Sequence, residues 1–109
     1  MTETGAWMPM YWSDYFGDTM QLSTEEHGAY LILIGVYWLR GGPLPDDEIW
    51  LASAVRVSRK KWKTISLRLS SLFTIRDGHW HHKRLEKEIL RSSVRLQSAR
   101  AAGAAGPSR

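Results

Sequence analysis

Cysteine is absent from this 109-residue chain, so disulfides and thiolate metal sites are excluded and the redox compartment is left open. Also missing is any apolar run of about 20 residues, the length a membrane span requires. The N-terminus lacks the positive start and apolar stretch of a signal peptide, so a cytoplasmic protein is the default expectation. No nucleophile–base pair, glycine-rich phosphate loop or metal-ligand spacing is present. The chain is therefore not expected to be an enzyme, nor to use a metal, a cofactor or a small-molecule substrate. Positive charge is nearly missing from one half. Residues 1–54 hold one arginine against eight acids, giving −7, whereas residues 55–109 hold fourteen Lys and Arg against three acids, giving +11, and together these make +4. Such asymmetry points the second half toward an anionic partner. The alternative is that the two halves neutralise each other across the fold.

What is present is organised around residues 23–39. Ser23 and Glu26 stand at capping-box spacing, where each side chain can bond the other's backbone amide. Arg40-Gly41-Gly42-Pro43 supplies a cation for the last turn, a left-handed stop and a block to continuation. From Ala29 to Leu39 only Gly35 interrupts large apolar or aromatic side chains, so this helix is expected to be covered on all sides. With 109 residues the core is modest, and six Trp and four Tyr help to fill it. A single domain over residues 1–100 is expected, followed by a small-residue tail over residues 101–109 that is too poor in large side chains to fold.

Before the central helix, residues 1–6 read as frayed. Residues 7–12, with Pro9 among aromatics, read as an edge strand or an extended arm. Residues 13–19 read as a turn hinged at Gly17. Asp14, Asp18 and Glu25 fit turn and helix caps better than a metal site, which would need a third ligand at suitable spacing. His27 reads as a neutral packed histidine. Gly28 and Gly35, seven apart and on one helix face, either admit a neighbouring backbone or are merely tolerated.

After the central helix, Asp46 is expected to cap a helix over residues 47–55, with Ile49, Trp50 and Ala54 toward the core. Arg56-Val57 makes a turn, and Ser58 caps a further helix over residues 59–72. Trp62, Ile65, Leu69, Leu72 and Phe73 share one side of it at helical spacing. The other side presents Lys60, Lys63, Thr64, Arg68 and Ser71, with Arg59 and Lys61 on the shoulders. Two short helices joined by a tight turn, the second with a basic face, make a helix-turn-helix. Leu67 points to the polar side and fits a thymine methyl, a protein partner or a neighbouring loop. Residues 73–82 read as a hairpin around Asp77-Gly78, a type I′ signal, with Ile75 opposite Trp80 and facing inward. His79, His81 and His82 alternate faces and cannot easily share an ion. Lys83 opens a last helix, over residues 83–100, with Leu85, Ile89, Val94 and Leu96 as its stripe.

The resulting fold class is mainly α with a small β-hairpin, a winged helix-turn-helix with the hairpin as wing. The expected DNA contacts are Arg59, Lys60, Lys61, Lys63, Thr64 and Arg68 on the second helix of the motif and Arg76 at the wing tip, acting on double-stranded DNA. A protein-interaction module is the alternative, using Leu67, the 7–12 arm or self-pairing of the last helix.

The segments Asp14-Tyr15, Gly17-Asp18-Thr19, Leu22-Ser23, Glu26-His27-Gly28-Ala29-Tyr30, Tyr37-Trp38, residues 42–47 and Trp80-His81-His82-Lys83-Arg84 with Glu88-Ile89 resemble the YdaU-type family, the DUF1376 domain, over residues 9–100. That resemblance implies a prophage-associated protein similar to the N-terminal DNA-binding domain of phage replication initiators, with replication proteins as further partners; a homodimer is the other partner expected, from self-pairing of the last helix. It supplies no catalytic residues. Members of the family often continue past a stretch like Ala101 to Gly106, so no downstream loader-type activity is expected of this chain.

Overall fold

The computed structural model describes Gly5 and residues 7–105, with side chains as far as Ala101. The remainder of the expected frayed start and residues 106–109 of the expected tail lie outside the described residues. The chain runs α1 (Trp12–Asp18), α2 (Thr24–Arg40), β1 (Leu44–Pro45), α3 (Glu48–Val55), α4 (Arg59–Leu69) with a 3-10 turn (Ser70–Leu72), β2 (Thr74–Arg76), β3 (His79–His81) and α5 (Lys83–Ala105). It is mainly helical, with one three-stranded antiparallel sheet in the order β1-β3-β2.

The central helix forms as its end signals require. The Ser23 side chain accepts from the Glu26 amide, the Glu26 carboxylate accepts from the Ser23 amide, and Gly41 closes α2 in the left-handed region at φ 74°. Ala29, Tyr30, Leu33, Ile34, Tyr37 and Trp38 are buried. The expectation that α2 is covered on all sides is wrong, however. Gly28, Leu31, Ile32, Gly35 and Leu39 face outward, and Leu39 is 79% exposed. An apolar run demands cover, but a chain this short has too few elements to surround a helix.

Residues 13–19 are not a turn. They form α1, because Tyr15 is buried, stacked on Tyr30 and bonded to His27, and this packing outweighs the helix cost of Gly17. The Thr19 hydroxyl donates to the Tyr15 carbonyl and closes the helix. The 7–12 stretch is an arm rather than a strand up to the start of α1, and it folds back along α5. The Gly5 amide donates to Ser92 Oγ, the Trp38 indole donates to the Gly5 carbonyl, and Met8 and Met10 pack on the core.

Asp47, not Asp46, caps α3 by accepting from the Trp50 amide. Asp46 instead accepts from the Trp80 indole. With the cap moved by one residue, Leu51, Ala52 and Val55 form the buried side of α3, while Ile49 is exposed and Trp50 and Ala54 are only partly covered. Arg56 turns the chain in the left-handed region at φ 62°, and Ser58 caps α4 through the Lys61 amide. The helix stops at Leu69, short of the expected 72, and tightens into the 3-10 turn.

The hairpin has the expected register, Ile75 opposite Trp80, with Asp77 and Gly78 both at positive φ as a type I′ turn demands. Trp80 is buried against Trp62 and Phe73, but Ile75 on the edge strand is 44% exposed. The third strand was not expected. Leu44 and Pro45 pair with Trp80 and His79, and a proline is tolerated there because β1 is an edge. In α5, Leu85 and Ile89 are buried, yet Glu88 and Ser92 complete the inner face and Val94 lies outside. The arm explains this: Glu88 receives Tyr11 and Arg91, and Ser92 receives Gly5. The helix also continues through Ala101–Ala105, where an unstructured tail was expected, since alanine is the best helix former once a helix has started.

Candidate nucleic-acid interface

Trp62, Ile65 and Leu69 pin α4 to the core, and at 100° per residue the opposite ridge runs Lys60, Thr64, Leu67 and Ser71. All four are exposed. The remaining cations of α4 fall on its two shoulders, and each shoulder meets glutamates from the acidic half. Arg59 Nε lies 3.4 Å and Lys63 Nζ 3.8 Å from Glu48 Oε1 on α3. On the other side, Lys61 Nζ is 3.2 Å from Glu25 and Arg68 Nε is 3.4 Å from Glu26, in the first turn of α2. Arg68 also donates to the Gln21 carbonyl. Arg76 is drawn toward α5, 3.9 Å from Glu86, which also holds His81.

Of the seven expected contacts, Lys60 and Thr64 therefore stand on the ridge, Lys63 at its edge, and Arg59, Lys61 and Arg68 on the shoulders. Arg76 belongs to a separate cluster. The charge asymmetry of the sequence is in large part internal: acids of α2 and α3 neutralise cations of α4. Among the described residues Lys60 makes no ion pair. The pairs of Arg59, Lys61 and Lys63 do not lock those cations away, since exposed ion pairs contribute only about 0–1 kcal/mol and exchange readily for another anion, whereas Arg68 is held by the largely buried Glu26 and the Gln21 carbonyl.

The profile of the family described as "Protein of unknown function (DUF1376)" matches residues 6–89. The chain belongs to the DUF1376 family. The Escherichia coli (strain K12) "Uncharacterized protein YdaU" is 37% identical over 99 residues, which are 91% of this chain and 34% of that protein. The chain thus spans about a third of that relative's length. No solved structure matches it.

In this DUF1376 chain the residues that carry the resemblance are largely structural. Tyr15 and His27 share a 2.8 Å hydrogen bond, as do Tyr30 and His82. The Tyr37 hydroxyl accepts from the His82 amide. His82 Nδ1 accepts from the Leu85 amide and so caps α5, which leaves Nε2 as the protonated nitrogen that donates to Tyr30. Burial, reinforced by the Arg84 guanidinium, pushes His82 down to about 4, and burial pushes Tyr30 up to about 12. Burial likewise raises Tyr15 and Tyr37. Asp14 and Asp18 face Arg84, at 4.0 Å and 3.3 Å. The described residues contain no group of three or more His, Cys, Asp or Glu able to hold an ion. No helix among them is long and apolar enough to cross a membrane.

Sequence reasoning missed Glu25, Glu26 and Glu48 as neighbours of the basic helix. Glu26 gave a partial signal, because a capping box fixes where its side chain lies. The pairings of Glu25 and Glu48 depend on how α2 and α3 pack against α4.

Proposed function

We propose that this domain is a winged helix-turn-helix module that binds double-stranded DNA through α4, in phage or prophage DNA replication initiation or its regulation. The order α2-β1-α3-α4-β2-β3, with β1 joining the hairpin at the β3 edge, supports the winged reading. The observation that carries the DNA reading is the outer ridge of α4. It has a free lysine at its first turn, a hydroxyl one turn on, cations on both sides and no acidic residue of its own. Major-groove readers place their contacts in that first turn. Lys60 and Lys63 would meet phosphates or guanine edges, Thr64 a phosphate, and Leu67 a thymine methyl group. Arg59, Lys61 and Arg68 would leave their glutamates for backbone phosphates, and Arg76 would leave Glu86 for the same role at the wing.

Fluorescence anisotropy with a random-sequence duplex and a single strand, at several salt concentrations, tests this. Duplex binding that weakens steeply with salt is expected, each phosphate contact adding about 0.9 to the log–log slope. Absence of duplex binding at the lowest salt overturns it.

A second reading is a protein-interaction module, favoured by Leu67, which is 78% exposed at the summit of the same ridge. Under that reading Leu67→Glu abolishes association with a partner, and neither form binds DNA.

A further inference from the structure

Among the described residues the outer face of α2, apolar and uncharged from Gly28 to Leu39, is left largely uncovered. Its seam residues are Gly28, Ile32, Gly35 and Leu39, separated by four, three and four positions, which is heptad spacing. Ile32 is 41% and Leu39 79% exposed. Leu31 flanks the seam and is also exposed. Neither glycine is explained by the packing of this chain: a Cβ built at Gly28 or Gly35 meets nothing within 4 Å, and α2 is regular through both. Glycine is the poorest helix former after proline, so two of them in one helix, on one face, disfavour the isolated domain. What glycine offers there is close approach by another backbone.

We infer that this face pairs with the same face of a second copy of the chain, antiparallel and about a two-fold axis. The order of residues along the seam selects this occupant. In an antiparallel coiled-coil pairing, each a position meets a d position of the other helix. Here both d positions are glycine and both a positions are large aliphatics. Ile32 then sits over the partner's Gly35, and Leu39 over the partner's Gly28, so every layer joins one large and one absent side chain. A parallel pairing would set glycine against glycine and leave voids. Charge agrees with the antiparallel sense. Antiparallel pairing lays the N-terminus of each helix, where Glu25 and Glu26 already pair with Lys61 and Arg68, beside the C-terminus of its partner, so the two helix dipoles oppose. Between those ends the face carries no charge to desolvate. A two-fold contact of this kind uses the same patch on both copies and closes at two. The pairing stands whether or not α4 meets DNA.

The seam is about 17 Å long at 1.5 Å per residue, so the contact is small and the association is expected to be weak. Sedimentation equilibrium of the full chain, up to about 500 µM, should show a monomer–dimer equilibrium. Gly35→Glu should weaken it at least about tenfold, because the carboxylate meets the partner's Ile32, while circular dichroism stays that of the wild type. Ile49→Glu, at an exposed position of α3, should leave it unchanged. Because the chain has no cysteine, orientation can be read directly. Gly28→Cys mixed with Leu39→Cys should crosslink on oxidation. Either variant alone should not, since its two sulfurs would lie about 16 Å apart along the axis. A chain that stays monomeric throughout, a dimer indifferent to Gly35→Glu, or single variants that crosslink as well as the mixture would each overturn the inference.

Discussion

The two helices α2 and α4 invert what their sequences suggest. The longest apolar run of the chain leaves a bare face, and the most basic segment is flanked by glutamates. α2 has six buried residues, yet its Gly28–Leu39 face meets solvent. α4 carries five of the Lys and Arg residues, but four of them lie within 4 Å of an acid. Composition therefore locates a surface of interest in each helix without saying which residues on it are available. On α4 the available ridge is Lys60, Thr64, Leu67 and Ser71, and on α2 it is the glycine–aliphatic seam.

The contrast within α2 can be broken most severely at neighbouring positions. Leu33 is fully buried and Ile32 is not. Leu33→Ala should cost about 3 kcal/mol in urea denaturation, and Ile32→Ala under about 1 kcal/mol at concentrations where the chain is monomeric. Equal costs would mean that α2 has no bare face.

The buried side of α2 should also respond to pH where the α4 surface does not. His82, held against Tyr30 and Tyr37, has a folded pKa near 4 against 6.5 in the unfolded chain. The unfolded chain takes up the proton first, so stability is full above pH 6.5 and is lost as pH falls from there through 4. The loss approaches about 3 kcal/mol. Protonation of Nδ1 would also remove the α5 cap. Denaturation midpoints at pH 7, 5.5 and 4.5 check this, and His82→Gln should flatten that part of the profile.

On α4 the ridge and the shoulders can be separated. Lys60→Ala with Lys63→Ala should lower duplex affinity about tenfold or more at low salt and reduce the salt slope by nearly 2. Glu48→Gln should act in the opposite direction. It releases Arg59 and Lys63 from their acid, and duplex affinity should rise about threefold while folding stability changes by less than about 0.5 kcal/mol. If Glu48→Gln leaves the affinity unchanged, the shoulder cations take no part in binding.

Much of the architecture was legible locally. The capping box at Ser23 and Glu26, the glycine stop at Gly41, the Ser58 cap, the buried triplet Trp62, Ile65 and Leu69, and the Asp77-Gly78 turn with its register all depend on neighbours within a few positions. The misreadings share another cause. α1 exists because Tyr15 meets Tyr30 and His27, β1 because Leu44 meets Trp80, and the Asp46 side chain is taken by the Trp80 indole. None of these contacts is encoded in a short window.

The candidate site divides the same way. The sequence by itself determined that α4 would present Lys60, Thr64 and Leu67 opposite its core face, because helical period and three buried residues fix the azimuth of every other position. It also placed Gly28 and Gly35 on one face of α2. Only the tertiary structure decided that Glu48, Glu25 and Glu26 flank the basic helix, and that no described residue covers those glycines. Charge pairing and cover are properties of which elements meet in space, and that follows from how all of them share one small core.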